Sequence, residues 1–106
     1  MGYYTSFNLD VEVGNNMAIT IIAAFRNENE DAAGAFDNYG QNRQEIKWYS
    51  STGDVEDFSK KYPDALFILT GKGEDGDHWR LYAKDGKSQF GRGTIVYPEF
   101  DESKLS

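Results

Sequence analysis

The sequence predicts an α+β protein, with two helices packed on one face of a mainly antiparallel sheet in the order β-α-β-α-β-β-β. Three observations carry that expectation. The chain opens on an alternating apolar–polar run. Two helical patterns follow, each preceded by residues able to cap a helix. The second half closes with strand patterns joined by turns rich in Gly and Asp.

Tyr3 to Val13, YYTSFNLDVEV, sets Tyr3, Phe7, Leu9, Val11 and Val13 against Ser6, Asn8, Asp10 and Glu12. Period 2 predicts a strand with one buried face, with Thr5 as the exception on the apolar side. Gly14-Asn15-Asn16 breaks the run, and either Asn offers a side-chain oxygen to cap a helix. Met17, Ile21, Ile22 and Phe25 then share one helical face, which predicts a helix from Met17 to about Asn29. The β-branched Ile19 and Thr20 leave a strand at Ala18–Ala23 as the competing assignment. The stretch Arg26 to Gln44 is rich in Asn, Asp and Glu and carries no period. It reads as a mobile loop over 27–44, with Phe36 and Tyr39 as tethers.

Glu45 to Tyr49, EIKWY, reads as a short strand. Thr52 and Asp54 are both capable caps for a second helix, with Asp54, Glu56 and Asp57 in its first turn. Val55, Phe58 and Tyr62 recur at helical spacing, Lys60 and Lys61 sit at the C-terminal end, and Pro63 stops the helix. Ala65 to Leu69, ALFIL, is a continuous apolar run, as expected of a central strand covered on both faces. HWRLYA then alternates, with Trp79, Leu81 and Ala83 on one side. Asp85-Gly86 marks a hairpin turn. Ser88 to Pro98 is the last strand, with Gly91 and Gly93 suggesting a bulge, and an acidic tail occupies 99–106.

The glycine-rich stretch LTGKGEDGDHWRLY, residues 69–82, invites a phosphate or metal assignment. A phosphate loop needs Gly-Lys followed by Ser or Thr and then a helix. Here Glu74, Asp75 and Asp77 would repel phosphate, and strand pattern follows. A calcium loop needs oxygen ligands at fixed alternate positions and a terminal bidentate Glu, which are missing. His78 is the sole histidine. A hairpin turn accounts for the composition, with Asp for local hydrogen bonds and Gly for positive φ.

At 106 residues the chain is long enough for one domain spanning 1–106 and one core. An aromatic share of 15% argues for a packed core rather than a disordered acidic chain. A net charge of −7 disfavours direct contact with nucleic acid or anionic lipid and favours a basic partner. Cysteine is absent, so a disulfide framework, a thiolate zinc site and a Cys nucleophile are excluded. The first residues lack the basic and apolar regions of a signal peptide, and a cytoplasmic location is expected.

The chemistry-bearing groups point to binding rather than turnover. The lone imidazole and the absence of a G-x-S-x-G elbow disfavour a nucleophilic triad. Clustered carboxylates leave an acid–base enzyme open as an alternative. A second alternative is an aromatic cleft for a small nucleotide, built from Trp48, Tyr49, Trp79 and Tyr82 with Arg80 and Arg92 as counter-charges. The leading candidates are acidic groups that would steer a basic surface: Glu28, Glu30 and Asp31; Asp54, Glu56 and Asp57; Glu74, Asp75 and Asp77, with Trp79 as an aromatic anchor. A further acidic group, Glu99, Asp101 and Glu102, lies in the tail. No cofactor or metal is expected, and solvated patches that keep a small domain soluble are the plain alternative.

From Lys47 onward, KWY (47–49), FSKKYPDALF (58–67), GKGEDGDHW (71–79), DGK (85–87) and EFDESKL (99–105) resemble a group of small proteins encoded by bacteria and their phages. The resemblance covers a little over half of the chain and implies a small ferredoxin-like or related α+β domain without a catalytic motif. It also implies a phage-type function. Small acidic phage proteins of this kind are often antagonists of host defence, anti-CRISPR proteins among them, that occupy a site on a larger host complex. Residues 26–44 have no counterpart in that resemblance.

Overall fold

The computed structural model describes residues 4–93. Tyr3, the last part of the final strand to Pro98, and the acidic tail at 99–106 lie outside them. Four strands form one antiparallel sheet in sequential order: β1 (Thr5–Glu12), β2 (Leu66–Gly73), β3 (His78–Lys84) and β4 (Lys87–Gly93). Three helices lie between β1 and β2 in the chain: α1 (Ala18–Glu28), α2 (Glu30–Ala35) and α3 (Ser51–Ser59). The α+β class and the closing meander are as the sequence predicts. The strand order is sequential, whereas a ferredoxin-like sheet splits and interleaves its strands.

The register explains which face is buried. Leu9, Leu69, Leu81 and Phe90 align in one row across the sheet, and Val11, Phe67, Ala83 and Ser88 in the next. Because side chains alternate, these rows point to one face, where Ile21, Ile22, Phe25, Phe36, Trp48, Val55 and Phe58 from the helical half cover them. Each fully buried side chain of this size contributes about 1.5–3 kcal/mol. Thr5, the exception in the alternation, is buried on the same face.

The opposite face carries Asn8, Asp10, Leu66, Ile68, Thr70, Arg80 and Tyr82, and the helices leave it open. Among the described residues the run ALFIL is therefore covered on one face only: Phe67 and Leu69 are buried, while Leu66 and Ile68 are half-buried. A continuous apolar run reports centrality in the sheet here, since β2 pairs on both sides, but not a second covering layer.

α1 forms where its apolar spacing predicts, and Ile21, Ile22 and Phe25 are its buried stripe, while Met17 stays exposed. The competing strand at Ala18–Ala23 does not form. Neither Asn15 nor Asn16 caps α1; both take positive φ, 63° and 56°, and turn the chain instead. α3 likewise starts one turn earlier than expected, with Ser50 at its N-cap position, so Thr52 and Asp54 lie inside the helix. Lys60 and Lys61 fall after its end.

Residues 27–44, expected as a loop, hold the end of α1, all of α2 and a hydrogen-bonded turn. Asp37 Oδ1 accepts from the amides of Tyr39 (2.9 Å) and Gln41 (3.0 Å). Phe36 is the tether, fully buried, whereas Tyr39 is 67% exposed. The segment then runs along the edge of β1: the Leu9 amide donates to Gly40 O, the Asn42 amide to Asn8 Oδ1, and Thr5 and Ile46 exchange backbone bonds. That single Thr5–Ile46 bridge replaces the strand expected at Glu45–Tyr49. Gly40 has φ +79°, and a Cβ there would lie 1.8 Å from Leu9 O, so only glycine fits.

Both glycine-rich stretches are hairpin turns, as expected. The amide of Gly76, at φ 81°, bonds to Gly73 O, and that of Gly73 to Asp77 O. Asp85 and Gly86, at φ 51° and 76°, close β3 onto β4 in the two-residue turn of a type I′ hairpin. Gly91 and Gly93 pair in unbroken register with Arg80 and His78, so the expected bulge is absent from the described part of β4.

Candidate functional site

Asn29 is the joint from which the site is built. It is a single extended residue between α1 and α2, and its Oδ1 accepts from the Ala32 amide at 3.0 Å, capping α2. Its Nδ2 donates to Asp54 Oδ2 at 3.1 Å. The same carboxylate oxygen accepts from Trp48 Nε1 (2.8 Å) and Ser50 Oγ (2.9 Å). Three segments are thus stitched together at one oxygen. Partial burial pushes the Asp54 carboxyl up, but the bonds from Trp48, Asn29 and Ser50 together outweigh it and hold the group below its usual range.

This stitch opens a shallow groove between the α1–α2 joint and α3. Phe25 and Phe58 form its floor, with ring centroids 4.6 Å apart. Glu28, Asp54 and Asp57 line it. Glu30 and Asp31 are exposed in the first turn of α2, directly after the joint, where the helix dipole favours negative charge. Lys61 is the cation of the groove, its Nζ 2.7 Å from Glu28 Oε2. Asp57 also pairs loosely with Lys60, at 3.6 Å.

The other candidates stand elsewhere. Glu56 turns toward β4, where its carboxylate accepts from Ser88 Oγ. Glu74, Asp75 and Asp77 sit at the β2–β3 turn. Glu74 accepts from the Tyr4 amide at 2.6 Å, and Asp77 lies 4.0 Å from Arg92 Nη1. Trp79 is half-buried on the helix side of the sheet, over Gly71 and edge-on to Phe7 at 5.9 Å. The groove therefore brings Glu28 together with Asp54 and Asp57; Glu30 and Asp31 do not line it, and it leaves out Glu56, the turn and Trp79.

The aromatic residues do not converge on a cleft. Trp48 is core, 3% exposed, with its indole N–H spent on Asp54. Trp79 and Tyr82 are three residues apart on a strand and so point to opposite faces. Tyr49 projects into solvent at 73% exposure. Arg80 lies on the open face with Tyr82, and Arg92 on the helix side. Among the described residues, no group of three or more His, Asp or Glu side chains is placed to hold a metal ion. Among them too, no helix is long and apolar enough to cross a membrane.

Sequence reasoning missed Asn29 and Lys61. A signal for Asn29 was present: Asn followed by Glu-Asp is a cap with first-turn acids, hidden inside a stretch whose composition suggests a loop. Nothing local signals that Lys61 reaches Glu28, 33 positions away. No protein-family model, no curated protein and no solved structure matches the chain.

Proposed function

We propose that this chain is a non-enzymatic, phage-type binding protein that inhibits a host defence complex, in the manner of anti-CRISPR proteins, within the host cytoplasm. Its docking surface is the acidic groove, and its target is a basic, nucleic-acid-binding surface on a host protein or protein–nucleic-acid complex. One observation carries the reading: Glu28 from one acidic group and Asp54 and Asp57 from another, far apart in sequence, line one groove around Phe25 and Phe58. Glu28, Asp54 and Asp57 line the groove against one lysine, Lys61, and the exposed Glu30 and Asp31 follow the joint directly, so the local field is negative. Such a field speeds encounter with a basic partner, and the aromatic floor supplies the apolar contact that charge alone lacks.

Pull-down from host lysate containing overexpressed defence complexes tests it. A partner should be retained at low salt and released at high salt, and it should be lost by the variant Glu28→Lys, Glu30→Lys, Asp31→Lys, Asp57→Lys. Asp54 is left intact because it holds the fold together. Retention of the same partner by the four-fold variant would overturn the reading, as would recovery of none at low salt.

A further inference from the structure

The sheet has two edges, and they are treated differently. The edge of β1 is covered by residues 40–46. β4 is exposed along all seven of its residues, and no described residue covers its outer edge. Exposed edges usually carry several charges that block pairing. β4 carries only Lys87 and Arg92, near its two ends.

The backbone dictates a register. The two-residue turn at Asp85-Gly86 makes Lys84 and Lys87 a hydrogen-bonded pair. Alternation along an antiparallel ladder then points the amides and carbonyls of Ser88, Phe90 and Arg92 away from β3. An antiparallel copy of β4 related by a two-fold axis at Phe90 matches all three: Phe90 faces Phe90, and Ser88 faces Arg92 on either side. Side chains agree with that register. Ser88, Phe90 and Arg92 lie on the helix side. Glu56 of α3 stands over Ser88 and accepts its hydroxyl. The second copy's Arg92 would therefore meet a carboxylate, and this happens twice by symmetry. Phe90, 47% exposed and 5.6 Å from Trp79, would extend that stack across the axis to its symmetry mate. On the opposite side, Gln89 meets Gly91 and Lys87 meets Gly93, so no like charges oppose each other.

We infer that β4 is a self-association edge: two copies of this chain pair antiparallel through Ser88, Phe90 and Arg92 into a continuous eight-stranded sheet, locked by Arg92–Glu56 ion pairs. The inference is independent of the acidic groove, since neither Phe90 nor Arg92 lines it.

Sedimentation of the full chain from micromolar to millimolar concentration tests it. The wild type should move from monomer to dimer. Arg92→Glu alone and Glu56→Arg alone should each weaken dimerisation by about tenfold or more, because each sets like charges together twice. Mixing the two variants should restore a heterodimer, since both contacts then join opposite charges; a misfolded variant gives no such rescue. Amide exchange should show Ser88, Phe90 and Arg92 protected only at high concentration. A monomer throughout the range overturns the inference. So does concentration-independent protection of those amides, which would mean that another part of the same chain covers the edge, and so does a dimer indifferent to both charge reversals.

Discussion

Replacing Asp54 by Ala tests whether the α1–α2 joint is held to α3 by one carboxylate. The magnitude follows from what is stranded. Trp48 is buried, and its indole N–H has Asp54 as its partner at 2.8 Å. Leaving that donor unpaired costs about 1–3 kcal/mol. Loss of a negative charge from the first turn of α3 adds about 0.3–1 kcal/mol, toward the low end because Asp54 is itself partly exposed and screened. The expected total is about 1.3–3.3 kcal/mol, or roughly 5–25 °C in Tm for a domain of this size. Urea unfolding followed by tryptophan fluorescence measures it. Asp57→Ala, one turn on and exposed, is the control and should stay within about 0.5 kcal/mol of wild type. The pH dependence gives a second readout. The Asp54 carboxyl is held below its ordinary value in the folded chain, so its contribution is present at neutral pH and is lost as pH falls through that depressed value. Wild type should therefore lose more stability than Asp54→Ala across the acid limb. If Asp54→Ala unfolds at the wild-type midpoint, or the two acid limbs run parallel, the carboxylate does not stitch the helices.

Three other outcomes follow from the same packing. Gly40→Ala adds a Cβ 1.8 Å from Leu9 O at a φ of +79°, and should lower the urea midpoint by the equivalent of about 3 kcal/mol. Gly71→Ala drives a methyl to 2.2 Å from the Trp79 ring, so the indole must swing toward solvent; emission should shift to the red with a loss of about 1–3 kcal/mol, and unchanged emission would mean that the ring is not seated there. Lys61→Ala removes an exposed pair with Glu28 and should cost no more than about 1 kcal/mol in thermal unfolding, while a basic partner should bind the groove more tightly at low salt.

Much of the fold was legible because its signals are local. Alternation in β1 and β3, the apolar stripe of α1, and Asp-Gly between two strand patterns each act within a few residues. The errors share a cause. EIKWY has strand composition, yet one bridge to Thr5 is all the room that β1's edge leaves it. α2 was hidden because its six residues EDAAGA carry no large apolar side chain; it is held by the Asn29 cap and by Phe36 just beyond it. ALFIL says that β2 is central, but not how many layers cover it. In the site, the acidic residues were legible as groups, but their grouping in space was not, since Glu28 and Asp57 lie on different helices.

By itself the sequence determined the secondary-structure class, the turn character of the glycine-rich stretches and the acidic character of the surface. Each of these follows from side-chain chemistry read over a short window. Only the tertiary structure decided which carboxylates share a groove, which are absorbed as structural partners, and which sheet edge the described residues cover. Those outcomes depend on hydrogen bonds and packing between residues tens of positions apart, such as Asn29 with Asp54 and Gly40 with Leu9, and no local pattern encodes such distances.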